Sequence, residues 1–201
     1  SLSSAASDVY KRQMLPLGKI RQEQKIKRPN TLTNSGINGD LSTSTLRGAM
    51  NFQTEDAKLF CIKKNKTSLQ NAINYILKDP NISSKIEIDY SNYKFKKLSK
   101  IKDQPILIID DEVDHASVDT GMKALDEEDN PNEEYNPKTI NRLIRMLLNM
   151  YDRKSYIGYT ATPFANVFIH PKAKTKNEGE DLFPKSFIQD LPEPSNYYGI
   201  K

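Results

Sequence analysis

The sequence predicts an α/β fold: a parallel sheet with helices on both faces, stacked in three layers. Short apolar runs of strand length, AKLFCIK at 57–63, PILIID at 105–110 and SYIGYTA at 155–161, are separated by stretches with helical spacing. The middle run is apolar at consecutive positions and rich in β-branched residues, the pattern of a strand buried on both faces. The resulting order, strand, helix, strand, helix, strand, is the alternation that right-handed crossovers fold into a parallel sheet.

Taken in order, Ser1 to Gln13, SLSSAASDVYKRQ, resembles translated sequencing-adapter sequence and is not expected to belong to the fold. Residues 14–54 are polar, rich in Ser, Thr, Asn and Gly, and show no sustained period, so a linker or loop is expected. The core is expected over residues 55–170. After its first strand, Thr67 and Gln70 have capping-box spacing. Leu69, Ala72, Ile73, Ile76 and Leu77 then fall on one helical face, and Asp79-Pro80 ends that helix. Residues 81–104 are ambiguous, with a short strand candidate at KIEID, 85–89. Residues 119–136 are acidic and loop-like, because Asp126, Glu127, Glu128, Asp129, Glu133 and Glu134 would repel one another when packed together. Asn136-Pro137 is a helix start, and Ile140, Leu143, Ile144, Leu147, Leu148 and Tyr151 form an apolar stripe behind it. Residues 171–201 read as a Pro-rich connection toward a second domain, and both ends of the chain read as cut.

Composition narrows the function classes. With 36% hydrophobic and 28% charged residues the chain reads as a soluble domain, and no apolar run is long enough to span a bilayer. A single cysteine, Cys61, excludes an intramolecular disulfide and a cysteine-based zinc site. Its place in an apolar run predicts core packing. With no signal peptide at the start, a cytoplasmic location is expected. A net charge of +4 is too small to establish a nucleic-acid partner.

Ligands of parallel sheets bind at the carboxyl ends of the strands. Asp110-Asp111-Glu112-Val113-Asp114-His115 follows the PILII run directly, so its first carboxylates are held at a sheet edge. One carboxylate there can hold Mg²⁺, which prefers oxygen ligands, and its neighbour can deprotonate an attacking water. That division assigns Asp111 to magnesium and Glu112 to the base in nucleotide hydrolysis. Thr160-Ala161-Thr162-Pro163 closes the next strand, where its hydroxyls can reach Asp114 or His115. Lys63-Lys64-Asn65, at the end of the first strand, is placed to grip a DNA backbone. Lys94, Lys96, Lys97, Lys100 and Lys102, interleaved with Tyr90, Tyr93 and Phe95, read either as a stacking surface for nucleic acid or as a solvated basic face.

An apolar strand, Asp-Glu-Val-Asp, a helix, a strand and Thr-Ala-Thr together resemble motifs two and three of superfamily-two helicases. The longer segments AKLFCIKKNKTSLQNAINYIL, IIDDEVDHASVDTG, YIGYTATPFANVFI and DLFPKSFIQDLPEPSNYYG resemble the Z-one domain family over roughly residues 55 to 200. That family is described as endonucleases fused to or overlapping a helicase-like ATPase. The resemblance implies a RecA-like P-loop NTPase core, ATP with Mg²⁺ as cofactor, DNA as partner and a part in bacterial restriction-like defence beside other defence proteins. It implies a coupling role for Asp114, His115, Thr160 and Thr162 between hydrolysis and movement. One departure is clear: no Gly-x-x-x-x-Gly-Lys-Ser/Thr loop occurs in the 201 residues. Gly18-Lys19 lacks the earlier glycine and has no strand before it. The whole protein is therefore expected to be an ATP hydrolase and this piece alone to be inactive.

Other readings of the same residues stay open. The acidic cluster can be a solvated turn that ends a strand. ILIIDDE also resembles the opening strand of response-regulator receiver domains, although no strand-terminal Asp follows as phosphoacceptor. The carboxylates can belong to a metal-dependent nuclease, although no lysine completes an obvious set. Finally, the chain can be an inert module that binds DNA or another partner.

Overall fold

In the computed structural model, residues 30, 31, 33, 57–114, 133–162, 174, 175, 179, 180, 182 and 186–191 are described. They form helices and small sheets: β1 (Asn30–Thr31), β2 (Lys58–Leu59), α1 (Lys66–Ile76), α2 (Pro80–Ser83), β3 (Ile86–Asp89), β4 (Lys94–Leu98), β5 (Ile106–Asp111), α3 (Pro137–Asn149), β6 (Lys154–Tyr159), β7 (Lys174–Thr175) and β8 (Gly179–Glu180). A single 3-10 turn, Glu133–Tyr135, leads into α3.

The centre is a β–α–β unit. β5 and β6 pair in parallel, with Ile106 opposite Lys154 and Asp111 opposite Tyr159, and α3 lies between them in sequence. The pairing is announced one turn earlier by a parallel bridge between Ile101 and Tyr151. α3 begins where the sequence expects it: Asn136 is its cap, accepting from the N–H groups of Lys138 and Thr139, and Pro137 occupies the first turn, where its missing N–H costs nothing. Its apolar stripe packs with α1 into one cluster in which Ile73, Ile140 and Leu143 are fully buried. Ile106, Ile108 and Tyr156, from one face of the parallel pair, pack against that cluster.

The opposite face differs from expectation. Leu107 and Ile109 are 57% and 61% exposed, and Tyr159 is exposed beside them. Among the described residues the sheet is thus covered on one face, so a consecutive apolar run did not by itself mean burial on both. The α/β class holds as mixed helices and small two-stranded sheets, of which, among the described residues, β1–β2 and β5–β6 are parallel.

Several local expectations are corrected. The run 57–63 yields a two-residue strand, Lys58–Leu59, paired in parallel with Asn30–Thr31, inside the stretch expected to be linker. Cys61 is exposed rather than core, with its N–H donating to Thr33 Oγ1 at 2.8 Å. The cap of α1 is Asn65, whose side chain accepts from Ser68 N–H, and not Thr67. Thr67 instead donates from N–H and Oγ1 to the Glu134 carboxylate at 3.1 and 2.8 Å, which also gives one member of the acidic run a partner. Asp79-Pro80 does not only stop α1; it caps and opens the four-residue α2. The ambiguous stretch 81–104 holds an antiparallel hairpin, β3 with β4, turned at Tyr90–Tyr93 with Tyr93 at a φ of 50° and a register shift between Glu87 and Ile88. Residues 119–132 of the acidic loop expected over 119–136, and His115, lie outside the described residues. No described helix is long and apolar enough to cross a membrane.

Candidate functional site

Asp110 closes the buried face of β5, and Asp111 and Glu112 follow at the carboxyl end of the strand. These neighbours have different surroundings. Asp110 is buried, and both its carboxylate oxygens have donors: Lys64 Nζ at 3.0 Å from Oδ1 and the Tyr156 hydroxyl at 2.7 Å from Oδ2. Tyr156 lies on the neighbouring strand opposite Ile108, one pleat before Gly158, which faces Asp110. Asp111 is half-buried and Glu112 exposed. Asp110 is thus engaged within the fold, while the two carboxylates read as magnesium partner and base are the ones nearer solvent.

The backbone turns sharply here. Glu112 has a φ of 50°, the left-handed region, which costs a residue with a side chain about 1–2 kcal/mol. The turn brings Val113 back under the sheet, where its N–H donates to the Tyr159 carbonyl at 2.9 Å and its side chain is buried. A Cβ at Gly158 would lie 3.0 Å from both Val113 methyl carbons, so glycine there makes room for the returning chain.

One residue further on, Asp114 joins the ends of the two strands. Thr160 Oγ1 donates to its Oδ1, and Thr162 Oγ1 donates to its Oδ2 at 2.6 Å. The Thr162 N–H in turn donates to Thr160 Oγ1 at 2.9 Å, which folds Thr160-Ala161-Thr162 around the carboxylate. Asp114, Thr160 and Thr162 are therefore brought together.

Of the residues expected to face DNA, Lys63 is exposed, Asn65 caps α1, and Lys64 reaches the acidic turn. Besides Asp110, Lys64 Nζ donates to the carbonyls of Asp111 at 2.8 Å and Glu112 at 2.6 Å. On the hairpin, Tyr90, Tyr93 and Phe95 pack against the core while Lys94, Lys96 and Lys97 are exposed, so the rings and the charges part company. Lys96 pairs with Glu87 at 3.7 Å, an exposed ion pair of small energetic weight. Sequence reasoning missed Tyr156 and the inward course of Lys64. Each lies 46 residues from Asp110 in the chain, a separation that leaves no local signal.

A magnesium ion fits the donor set in one respect. Asp111 and Glu112 offer oxygen ligands only, too few for an all-protein cage but suited to an ion that keeps its waters and shares phosphate oxygens. Among the described residues, no group of three or more His, Cys, Asp or Glu side chains is gathered for a metal. Compared with known proteins, the chain matches no protein-family model, no curated protein and no solved structure.

Proposed function

We propose that this chain is part of a DNA-acting, ATP-dependent, helicase-like ATPase of the Z-one type, built on a RecA-like core and serving bacterial restriction-like defence in the cytoplasm. The observation that carries the reading is the pair of hydrogen bonds from Thr160 and Thr162 to Asp114, across adjacent parallel strands and directly behind Asp111 and Glu112. A solvated acidic turn has no reason to be clasped by two hydroxyls of the next strand end.

In this reading Asp111 holds Mg²⁺, which supplies charge neutralisation for the ATP phosphates. Glu112 accepts the proton of the attacking water, with its exposure giving water access. Asp114, Thr160 and Thr162 form a latch whose opening or closing transmits the nucleotide state to the segment after Thr162. Lys63 remains the residue of the first strand end best placed for a phosphate of DNA. The phosphate-binding loop has to come from outside these 201 residues, so ATP turnover belongs to the whole gene product.

The test is Glu112→Gln in the whole gene product. Loss of DNA-stimulated ATP hydrolysis by about 100-fold or more, with ATP binding retained, is the expected outcome for removal of a general base. Normal turnover in that variant would overturn the role of Glu112.

A further inference from the structure

We infer that Lys64 is a positioning residue for the acidic turn, its ammonium clamping Asp111 and Glu112 in the left-handed conformation that leaves Glu112 exposed at the strand end. The inference rests on the reading of Asp111 and Glu112 as the hydrolytic pair. An ammonium has three N–H groups, and Lys64 directs them to three acceptors: Asp110 Oδ1 at 3.0 Å, the Asp111 carbonyl at 2.8 Å and the Glu112 carbonyl at 2.6 Å. Two of these are the carbonyls on either side of the Glu112 residue, whose φ of 50° is the strained point of the turn. A strained backbone persists only where its surroundings over-determine it. Here the determinants are the Lys64 clamp on one side and the Val113 N–H bond to Tyr159 on the other.

The clamp is itself anchored. Asn65, the next residue, caps α1, so the backbone that carries Lys64 is tied to a helix packed in the core. The first carboxylate of the acidic run has a distinct task in this scheme: Asp110 is the buried counter-charge that holds Lys64 in place. Lys64 also has little capacity left for a phosphate, since leaving would strip buried Asp110 of its cation. Charge and geometry are separable by substitution. An arginine keeps the charge and favours phosphate, but its planar fork cannot converge on three acceptors arranged around one nitrogen.

The experiment compares Lys64→Arg, Lys64→Met and the paired Lys64→Met/Asp110→Asn, the last of which leaves no buried charge alone and keeps the comparison open if Lys64→Met fails to fold. Amide hydrogen exchange is followed at Val113, with Ile106 at the far end of β5 as reference. The expected result is exchange at Val113 faster by about tenfold in all folded variants, arginine included, with Ile106 unchanged. Rates at Val113 within about twofold of the unsubstituted chain, above all in Lys64→Arg, would overturn the clamp. The second readout is Mn²⁺ titration, with Asp111→Asn marking the site. Charge alone predicts tighter binding when a cation beside carboxylates is removed, whereas loss of positioning predicts weaker binding in Lys64→Met. Tighter or equal binding counts against the inference. If the unsubstituted chain binds no Mn²⁺, or Asp111→Asn binds it equally well, the magnesium role of Asp111 fails separately, and exchange at Val113 alone decides the clamp.

Discussion

Gly158 and Val113 show how the turn after β5 depends on one absent side chain. Val113 folds under the sheet because the residue opposite Asp110 has no Cβ, and a methyl there would meet the branched carbon and both methyls of Val113 at 3.0–3.1 Å. Valine has little freedom to turn away, since its branching at Cβ restricts χ1. Gly158→Ala is therefore expected to destabilise the chain by about 1–3 kcal/mol in denaturant unfolding, as overpacking does. Adding Val113→Ala should recover part of that loss. If the second substitution adds a further loss instead, the conflict lies elsewhere than between these two side chains. At this scale the sequence made Asp111, Glu112, Asp114, Thr160 and Thr162 stand out, because each follows an apolar run directly. Tyr156 and Lys64 did not stand out, because nothing local to either residue indicates the carboxylate it meets.

Elements were legible where their start signals and their periodicity agreed. α3 has Asn136, Pro137 and an unbroken stripe, and all three point to the same first turn. α1 had competing signals: the spacing of Thr67 and Gln70 suggested one cap, while Asn65 provides it and Thr67 is taken by Glu134 from a distant turn. Asn65→Ala should cost about 1 kcal/mol in unfolding free energy, and Asn65→Asp should restore most of it, because the carboxylate accepts from the same Ser68 N–H. Equal stability of Asn65→Ala and the unsubstituted chain would show that the Glu134 contact alone secures this helix end. Strands were less legible than helices. β2 is two residues long, Lys58–Leu59, although the run that predicted it spans 57–63.

The described part of the molecule is one core, α1 and α3 against one face of the parallel pair, with the hairpin packed alongside. Burial at this scale leaves a mark on titration. The hydroxyls of Tyr90 and Tyr151 are both pushed up to about 12 by burial, which disfavours the charged phenolate. The sign follows from linkage. Below the ordinary tyrosine value of 10 both folded and unfolded chains hold these protons, and above it the unfolded chain releases them first. Stability is thus fully present below pH 10 and falls as pH rises toward about 12. Tyr151→Phe should flatten that alkaline loss in unfolding curves measured across the window. An unchanged slope would mean that Tyr151 ionises as readily folded as unfolded.

Residue types and spacing were enough to determine the strand–helix–strand order of β5, α3 and β6, the acidic and threonine-bearing ends of those two strands, and the apolar face of α3, because each is a property of neighbours in the chain. The tertiary structure alone decided which carboxylate is engaged and which are exposed. Three adjacent acids are equivalent as text, and they become different once Lys64 and Tyr156 converge on Asp110 from 46 residues away on either side. The same holds for the exposed side of β5. A consecutive apolar run records that a strand is hydrophobic, but whether Leu107 and Ile109 are covered depends on what packs against them, and hydrophobicity carries no information about that partner.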